Sequence, residues 1–280
     1  MTRRAIVLAL LSCAAALFAA SCGSRPAAPP AWQRLETGLD YGEFPAPERS
    51  PRGDSIIRVL RVDPRHFDLQ LLASSAPSEG TPRTAREWAR ARGLVAAINA
   101  SMFGADLRTA VSLLKNREHV NNPRLTRDKS VLVFDPLEPS VPPVQIVDRD
   151  TQDFEALSAA YGAFVQSIRM VALPRRNVWE KQPRRHSVAA IGIDGRGRVL
   201  LIHTRSPYPV HDLVEFLLAL PLDLRNAMYA EGGPLAQLWI GAGGREIELV
   251  GLSDAGFLEA DQELPAQPIP NVVGVVRRAR

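Results

Sequence analysis

The sequence predicts an α+β fold: a mixed, largely antiparallel sheet with flanking helices and one strand–helix–strand crossover. Three observations carry this. Segments that alternate apolar and polar residues, such as "SIIRVLRV" and "DLQLLAS", outnumber segments of helical period. Most neighbouring strands are antiparallel in this reading, a hairpin turning at Asp194–Gly197 among them. One helix, in "VHDLVEFLLALPL", stands between the apolar strands "VLLIHT" and "NAMYAEGG", the order of a crossover running from Val199 to Ala230.

In chain order, strands are expected at Ser55–Val62 and Phe67–Ser74, joined by the turn Asp63-Pro64-Arg65. "TPRTAREWARARG" reads as a helix: Thr84 caps its start, Glu87 three residues later completes a capping box, and Gly93 stops it. "LVAAINA" is a buried strand ending at Asn99, and a loop-rich stretch follows from Ser101 to Arg127. "KSVLVFD" is a strand, the Pro-rich "PLEPSVPPVQIVD" an edge-like one, "TQDFEALSAAYG" a helix and "AFVQSIRMVAL" a strand. The loop "PRRNVWEKQPRRH" leads into the hairpin, the helix carries Leu213, Phe216, Leu217 and Leu220 on one face, and "NVVGVVRRA" closes the chain.

The first residues have a separate character. "MTRRAIVLALLSCAAALFAASCGS" sets two arginines before an apolar run and small residues, the pattern of a secretory leader and too short for a stable span. Ala20 and Ser21 directly before Cys22 resemble a bacterial lipoprotein processing site, although Ala19 stands where such sites usually carry Leu; ordinary cleavage near Ala20 is the alternative. The expected organisation is therefore a leader over residues 1–21, a lipidated Cys22 with a linker to residue 31, and one folded domain over residues 32–280. The expected location is the bacterial envelope, anchored to a membrane (outer rather than inner, since Gly23 follows the cysteine), with the domain in the periplasm or at the cell surface.

Composition is that of an ordinary globular protein: 280 residues, 46% hydrophobic, 23% charged. Loss of Arg3 and Arg4 with the leader brings the formal charge of +4 to +2. With arginines and acids interspersed, no basic stripe supports nucleic-acid binding. Cys13 leaves with the leader and Cys22 carries lipid, so the domain has neither a disulfide nor a thiolate metal site. Five scattered histidines give no metal-ligand spacing, and no metal or other cofactor is expected.

Three strands end in polar residues: Asn99, the trio His203-Thr204-Arg205, and Glu231. Strand ends converging on one edge are where sites are built. Each residue could also be a simple turn or cap residue, and Asn99 fits that description well. Glu231 does not: Glu is a poor turn former, and Gly232-Gly233 would give a ligand close access to the backbone. His186 suits a solvated basic loop, His211 and Asp212 the opening of a helix. Trp88 and Trp179 could stack on sugar, though Trp88 on its helix suits the core.

"INASMF", then "AAIGIDGRGRVLLIHTRSPYPVHDLVEFLLAL", then "AMYAEGGPLAQLW" resemble the phosphodiester glycosidase family, whose lysosomal member removes N-acetylglucosamine from a sugar phosphodiester on mannose. Asn99 matches the Asn of the family's I-N-G-G-F-F; Ala190-Ile191-Gly192 match A-I-G; Arg205 matches an Arg after the following strand; Glu231-Gly232-Gly233 match D-G-G. The chain departs from the pattern at Ser101, Val188, Tyr229, Pro234 and in Glu for Asp at 231.

The resemblance implies hydrolysis of a sugar-1-phosphodiester or related glycan linkage, with a glycan or sugar phosphate as partner. Such a bond has a good leaving group, so the demand is for a carboxylate at the anomeric carbon and arginine at the phosphate. Glu231, Asn99 and Arg205 are the expected catalytic residues. Arg169, Arg185, Gly232, Gly233 and His203 are the expected substrate contacts. The alternative is a non-catalytic glycan-binding lipoprotein of the same fold.

Overall fold

The structure is a computed structural model that describes residues 32–252 and 265–279. The expected leader, Cys22 and the expected linker lie outside the described residues. Strands β1 (Trp32–Glu36) and β2 (Leu39–Pro45) form a hairpin that turns through Gly38 at φ +82°. After β3 (Ile56–Val62) and β4 (Phe67–Ala73) comes helix α1 (Ala85–Arg92), then β5 (Ala96–Asn99), the short β6 (Leu114–Lys115) and β7 (Val120–Asn122), β8 (Ser130–Pro136) and β9 (Val144–Asp148). Helix α2 (Phe154–Ser158) precedes β10 (Tyr161–Ser167), β11 (Arg169–Ala172) and β12 (Arg176–Asn177). The long hairpin β13 (Arg185–Asp194) and β14 (Val199–Pro209) leads through α3 (Val210–Ala219) to β15 (Leu224–Gly232). Hairpin β16 (Gln237–Ala242) and β17 (Arg245–Val250), with β18 (Asn271–Arg277), completes the set.

These strands make three sheets. The first has eight strands in the order β1-β2-β3-β14-β13-β15-β11-β12, the second runs β7-β6-β10-β8-β9, and the third β17-β16-β5-β18-β4. The fold is thus α+β in the broad sense but dominated by strand, with three short α-helices among the described residues. The expected mixed sheet is corrected: every pairing among the described strands is antiparallel. The crossover is present, and β14 and β15 do run parallel, but β13 lies between them and takes its hydrogen bonds from both sides.

Two further expectations change. Strands β3 and β4 do not pair with each other; the chain passes from the first sheet to the third at the Asp63–Arg65 turn. The segment expected as one strand at Ala163–Leu173 is two, β10 and β11, in different sheets, and the switch falls at Ile168. Two-residue alternation marks a strand but carries no signal for its partner.

The capping signals of α1 hold in detail. Thr84 Oγ1 accepts the Glu87 amide, Glu87 returns the contact to the Thr84 amide, and Gly93 takes the left-handed conformation at φ 64°. Trp88 is fully buried and its indole N–H donates to the Ile269 carbonyl at 3.0 Å, so it is core. The main core lies between the facing sheets and includes Leu60, Ile98, Leu132, Ala189, Ile191 and Leu238. A second cluster packs α3 through Leu213, Phe216 and Leu217 onto the other face of the first sheet, against Val188, Ala190 and Ile202. Among the described residues, no helix is long and apolar enough to cross a membrane.

Candidate functional site

Glu231 stands at the end of β15, where a bulge re-aims the strand. Tyr229 pairs with Ala190 and Glu231 with Ala189, so β15 spends two residues where β13 spends one and Ala230 is the extra. A bulge of this kind turns side chains out of the regular alternation, a common device beside active sites. The Glu231 carboxylate is largely withdrawn from water, and its Oε1 accepts the Gly232 amide at 2.9 Å. Burial pushes its pKa up from 4.5 to about 7, with the Gly232 hydrogen bond working in the opposite direction. A carboxyl poised there can take and give a proton at neutral pH.

His203 faces Ala189 from the other side, on β14. It is fully buried, and its Nε2 lies 3.2 Å from the Ala236 carbonyl. A carbonyl only accepts, so Nε2 carries the hydrogen and Nδ1 is bare; Nδ1 has no partner among the described residues. Burial pushes its pKa down to about 4. His203 is a neutral strut under the turn that follows Glu231, in place of the substrate contact expected of it.

Asn99 braces the same turn. Its Nδ2 donates to the Leu235 carbonyl at 3.0 Å and its Oδ1 accepts the Gln237 amide at 2.7 Å. The side chain is buried, and both ends of the amide are spent on backbone. Its bonds to the turn that follows Glu231 make it a positioning residue. The turn between them is a short 3-10 segment, Gly233–Leu235.

The glycines have structural partners too. A Cβ on Gly232 would fall 1.9 Å from the Tyr229 hydroxyl, so what approaches this bare Cα is Tyr229. Gly233 takes φ +62°, a conformation that favours glycine, and its carbonyl packs against Gly251 so closely that a Cβ there would lie 1.9 Å away. Tyr229 also meets Trp179, ring centroids 5.3 Å apart, which brings the loop before β13 over the strand end.

The arginines divide. Arg205 is half-buried at a second bulge, where β14 runs from Thr204 to Tyr208 while β13 runs only from Val188 to His186. Ser187, fully buried, pins this bulge by donating to the Arg205 carbonyl and accepting the Leu252 amide at 2.8 Å. Arg185 is exposed at the start of β13. Arg169 is corrected as a phosphate contact: its guanidinium is bound by Asp148 and, at 2.8 Å, by Asp150. The two carboxylates hold both of its terminal nitrogens. In register with His203 on β3 is Arg58, bonded to Asp54 at 2.7 Å.

Nothing in the sequence marks Ser187 or Arg58, or pairs Tyr229 with Trp179. A small hydroxyl inside "RRHSVAAIG" carried no mark of its fate, whereas Trp179 did, as an aromatic in a basic loop. Among the described residues, no group of three or more His, Cys, Asp or Glu side chains is placed to hold a metal ion.

The fold resembles solved structures at low identity. The catalytic domain of zebrafish N-acetylglucosamine-1-phosphodiester alpha-N-acetylglucosaminidase, auto-inhibited by its pro-peptide, superposes with a TM-score of 0.63 at 11% identity over 88% of this chain and 86% of that one. A hypothetical protein from Synechocystis gives 0.57 at 14% identity over 91% of this chain and 65% of that one. No curated protein sequence matches the chain. The family model for phosphodiester glycosidase matches residues 92–276, which takes in Asn99, the β13–β14 hairpin, α3 and Glu231; by that match the chain belongs to the phosphodiester glycosidase family.

Proposed function

We propose that this chain is an exported, lipid-anchored hydrolase of the bacterial envelope that cleaves a sugar-1-phosphodiester, with Glu231 as its central catalytic group. The observation that carries the reading is a carboxyl withdrawn from water at the bulged end of β15, with a pKa of about 7, inside the family's matched span. In the proposed reaction a water oxygen bonds to the anomeric carbon and gives its proton to Glu231. The bond from that carbon to the phosphate oxygen breaks, and the phosphate monoester leaves with the electron pair. Such a leaving group is stable as an anion and needs little acid assistance, so one carboxyl in a base role suffices. Arg205 is proposed to face the phosphate, and Asn99 and His203 to hold the turn that fixes Glu231. The leader over residues 1–21 and Cys22 support export and anchoring.

The binding-only alternative is favoured by the departures from the family pattern at Val188, Tyr229 and Pro234, around a carboxylate that is retained. The deciding experiment is turnover of a panel of sugar-1-phosphodiesters by the purified chain and by Glu231→Gln, with melting temperature measured for both. The hydrolase reading expects a loss of about a hundredfold or more in kcat with KM little changed. Binding of a panel member without hydrolysis by the unaltered chain selects the alternative.

A further inference from the structure

A cavity of about 580 Å³, with Ile168 of the β10–β11 junction in its wall, combines two chemistries in its lining. Met102, Val111, Leu125 and Ile168 supply apolar surface, and Arg124 and Arg127 supply charge. Val111 and Leu125 are 42% and 36% exposed; with Leu107 and Val120 they place four of the exposed large hydrophobics among the described residues on one stretch of chain. Apolar side chains gathered in water on one loop mark a binding surface. Neither Arg124 nor Arg127 forms an ion pair with a described residue, whereas nearby Lys129 is paired with Asp150 at 2.8 Å. Asp128, also on the wall, spends one carboxylate oxygen on the hydroxyls of Ser112 and Thr126, at 2.9 and 3.0 Å.

Two residues of the cavity wall are tied to the elements that carry the site. Met102 lies three residues beyond Asn99, which is bonded to the turn after Glu231. Ile168 accepts the amide of Tyr229, two residues before Glu231, at 2.9 Å. Two uncommitted guanidiniums over an apolar wall match an anion that carries a hydrocarbon substituent.

We propose that this cavity receives the phosphate and the first methylenes of an alkyl phosphate, so that the phosphodiester's leaving group is lipid-like. Arg124 and Arg127 meet phosphate oxygens in addition to the contact proposed for Arg205, and Met102, Val111, Leu125 and Ile168 meet the chain. As an account of substrate class this rests on the glycosidase reading above. The balance of the reaction is unchanged: water's hydroxyl ends on the sugar, and the alkyl phosphate leaves intact with its own ester bond.

The test titrates octyl phosphate (below its micelle concentration), methyl phosphate and inorganic phosphate into the purified full-length chain by calorimetry. Octyl phosphate is expected to bind at least about tenfold more tightly than methyl phosphate, a difference that two buried methylenes provide. Arg124→Gln with Arg127→Gln should weaken all three ligands. Val111→Ser with Leu125→Ser should bring octyl phosphate down to the methyl phosphate level and leave the other two unchanged. These side chains are exposed, and unchanged melting temperatures confirm that the variants fold. Equal affinity for octyl and methyl phosphate, or variants that bind octyl phosphate as the parent does, overturns the proposal. Because binding is read without turnover, the two readings fail separately. Preferential octyl phosphate binding with no glycosyl phosphodiester hydrolysed supports the cavity and removes the glycosidase; hydrolysis with no octyl preference removes the cavity alone.

Discussion

His203 and Glu231 flank Ala189 from opposite sides, one on β14 and one on β15, and burial drives their pKa values toward each other's usual range. The histidine is held neutral down to about pH 4, and the carboxyl stays protonated up to about pH 7. Between roughly pH 4.5 and 6.5 both are mainly uncharged, so this strip of the first sheet crosses the mildly acid range without a buried charge.

Glu231 therefore costs stability at high pH. Its folded pKa lies above its unfolded value of 4.5, so the folded chain keeps a proton that the unfolded chain releases, and stability falls as pH rises from about 4.5 through 7. Glu231→Gln removes the charge and keeps an acceptor for the Gly232 amide. Its unfolding free energy should exceed the parent's by ~2–3 kcal/mol at pH 8 and match it near pH 4. Urea unfolding at both pH values checks this, and an offset independent of pH counts against it.

His203 has the opposite sign. Its folded pKa is depressed, so its contribution is present above pH 6.5 and lost as pH falls through about 4. His203→Gln offers an N–H for the Ala236 carbonyl without a titrating ring. Its stability relative to the parent should improve on acidification from pH 7 to 4 by an amount on the order of 3 kcal/mol. Parallel stability–pH curves for the two proteins would contradict this account.

Asn99→Ala leaves the buried Gln237 amide and Leu235 carbonyl without their side-chain partners. The expected loss is roughly 2–4 kcal/mol of stability, together with reduced kcat through displacement of Glu231. Asn99→Asp keeps the acceptor, but only its protonated form has an O–H to donate to the Leu235 carbonyl, so it should fall between Asn99→Ala and the parent only at pH values where the acid is protonated. Thermal melts of the three proteins at pH 4 and 8 test the order.

Gly232→Ala sets a methyl against the Tyr229 hydroxyl. A cost of about 1–3 kcal/mol is expected, as for other overpacked sites. Tyr229→Phe removes the oxygen that clashes, so the double variant should be more stable than the sum of the two single changes predicts. Strict additivity in this cycle would show that Gly232 is needed for some other reason.

Cys22→Ser tests the anchor. If Cys22 carries lipid, the variant should move from the membrane fraction to the soluble fraction or accumulate with its leader attached. Unchanged membrane retention after normal cleavage sinks the lipoprotein proposal.

What forms within a few residues of chain is legible in the sequence. The capping box of α1, the hairpin at Asp194–Gly197 and the strand that ends at Glu231 before a glycine pair are local hydrogen bonds and local periodicity, and all are found where expected. Tertiary structure decided the partners. Asn99 meets Gln237 across 138 residues, and Arg169 meets Asp148 across 21, contacts that no local pattern encodes. The division into three sheets, with β3 parted from β4 and β10 from β11, has the same origin, because alternation fixes which face a side chain takes but not which strand lies beside it. Even Glu231, legible as an acid out of place, acquires its pKa of about 7 only when the folded chain removes water from around it; that desolvation comes from residues far away in sequence.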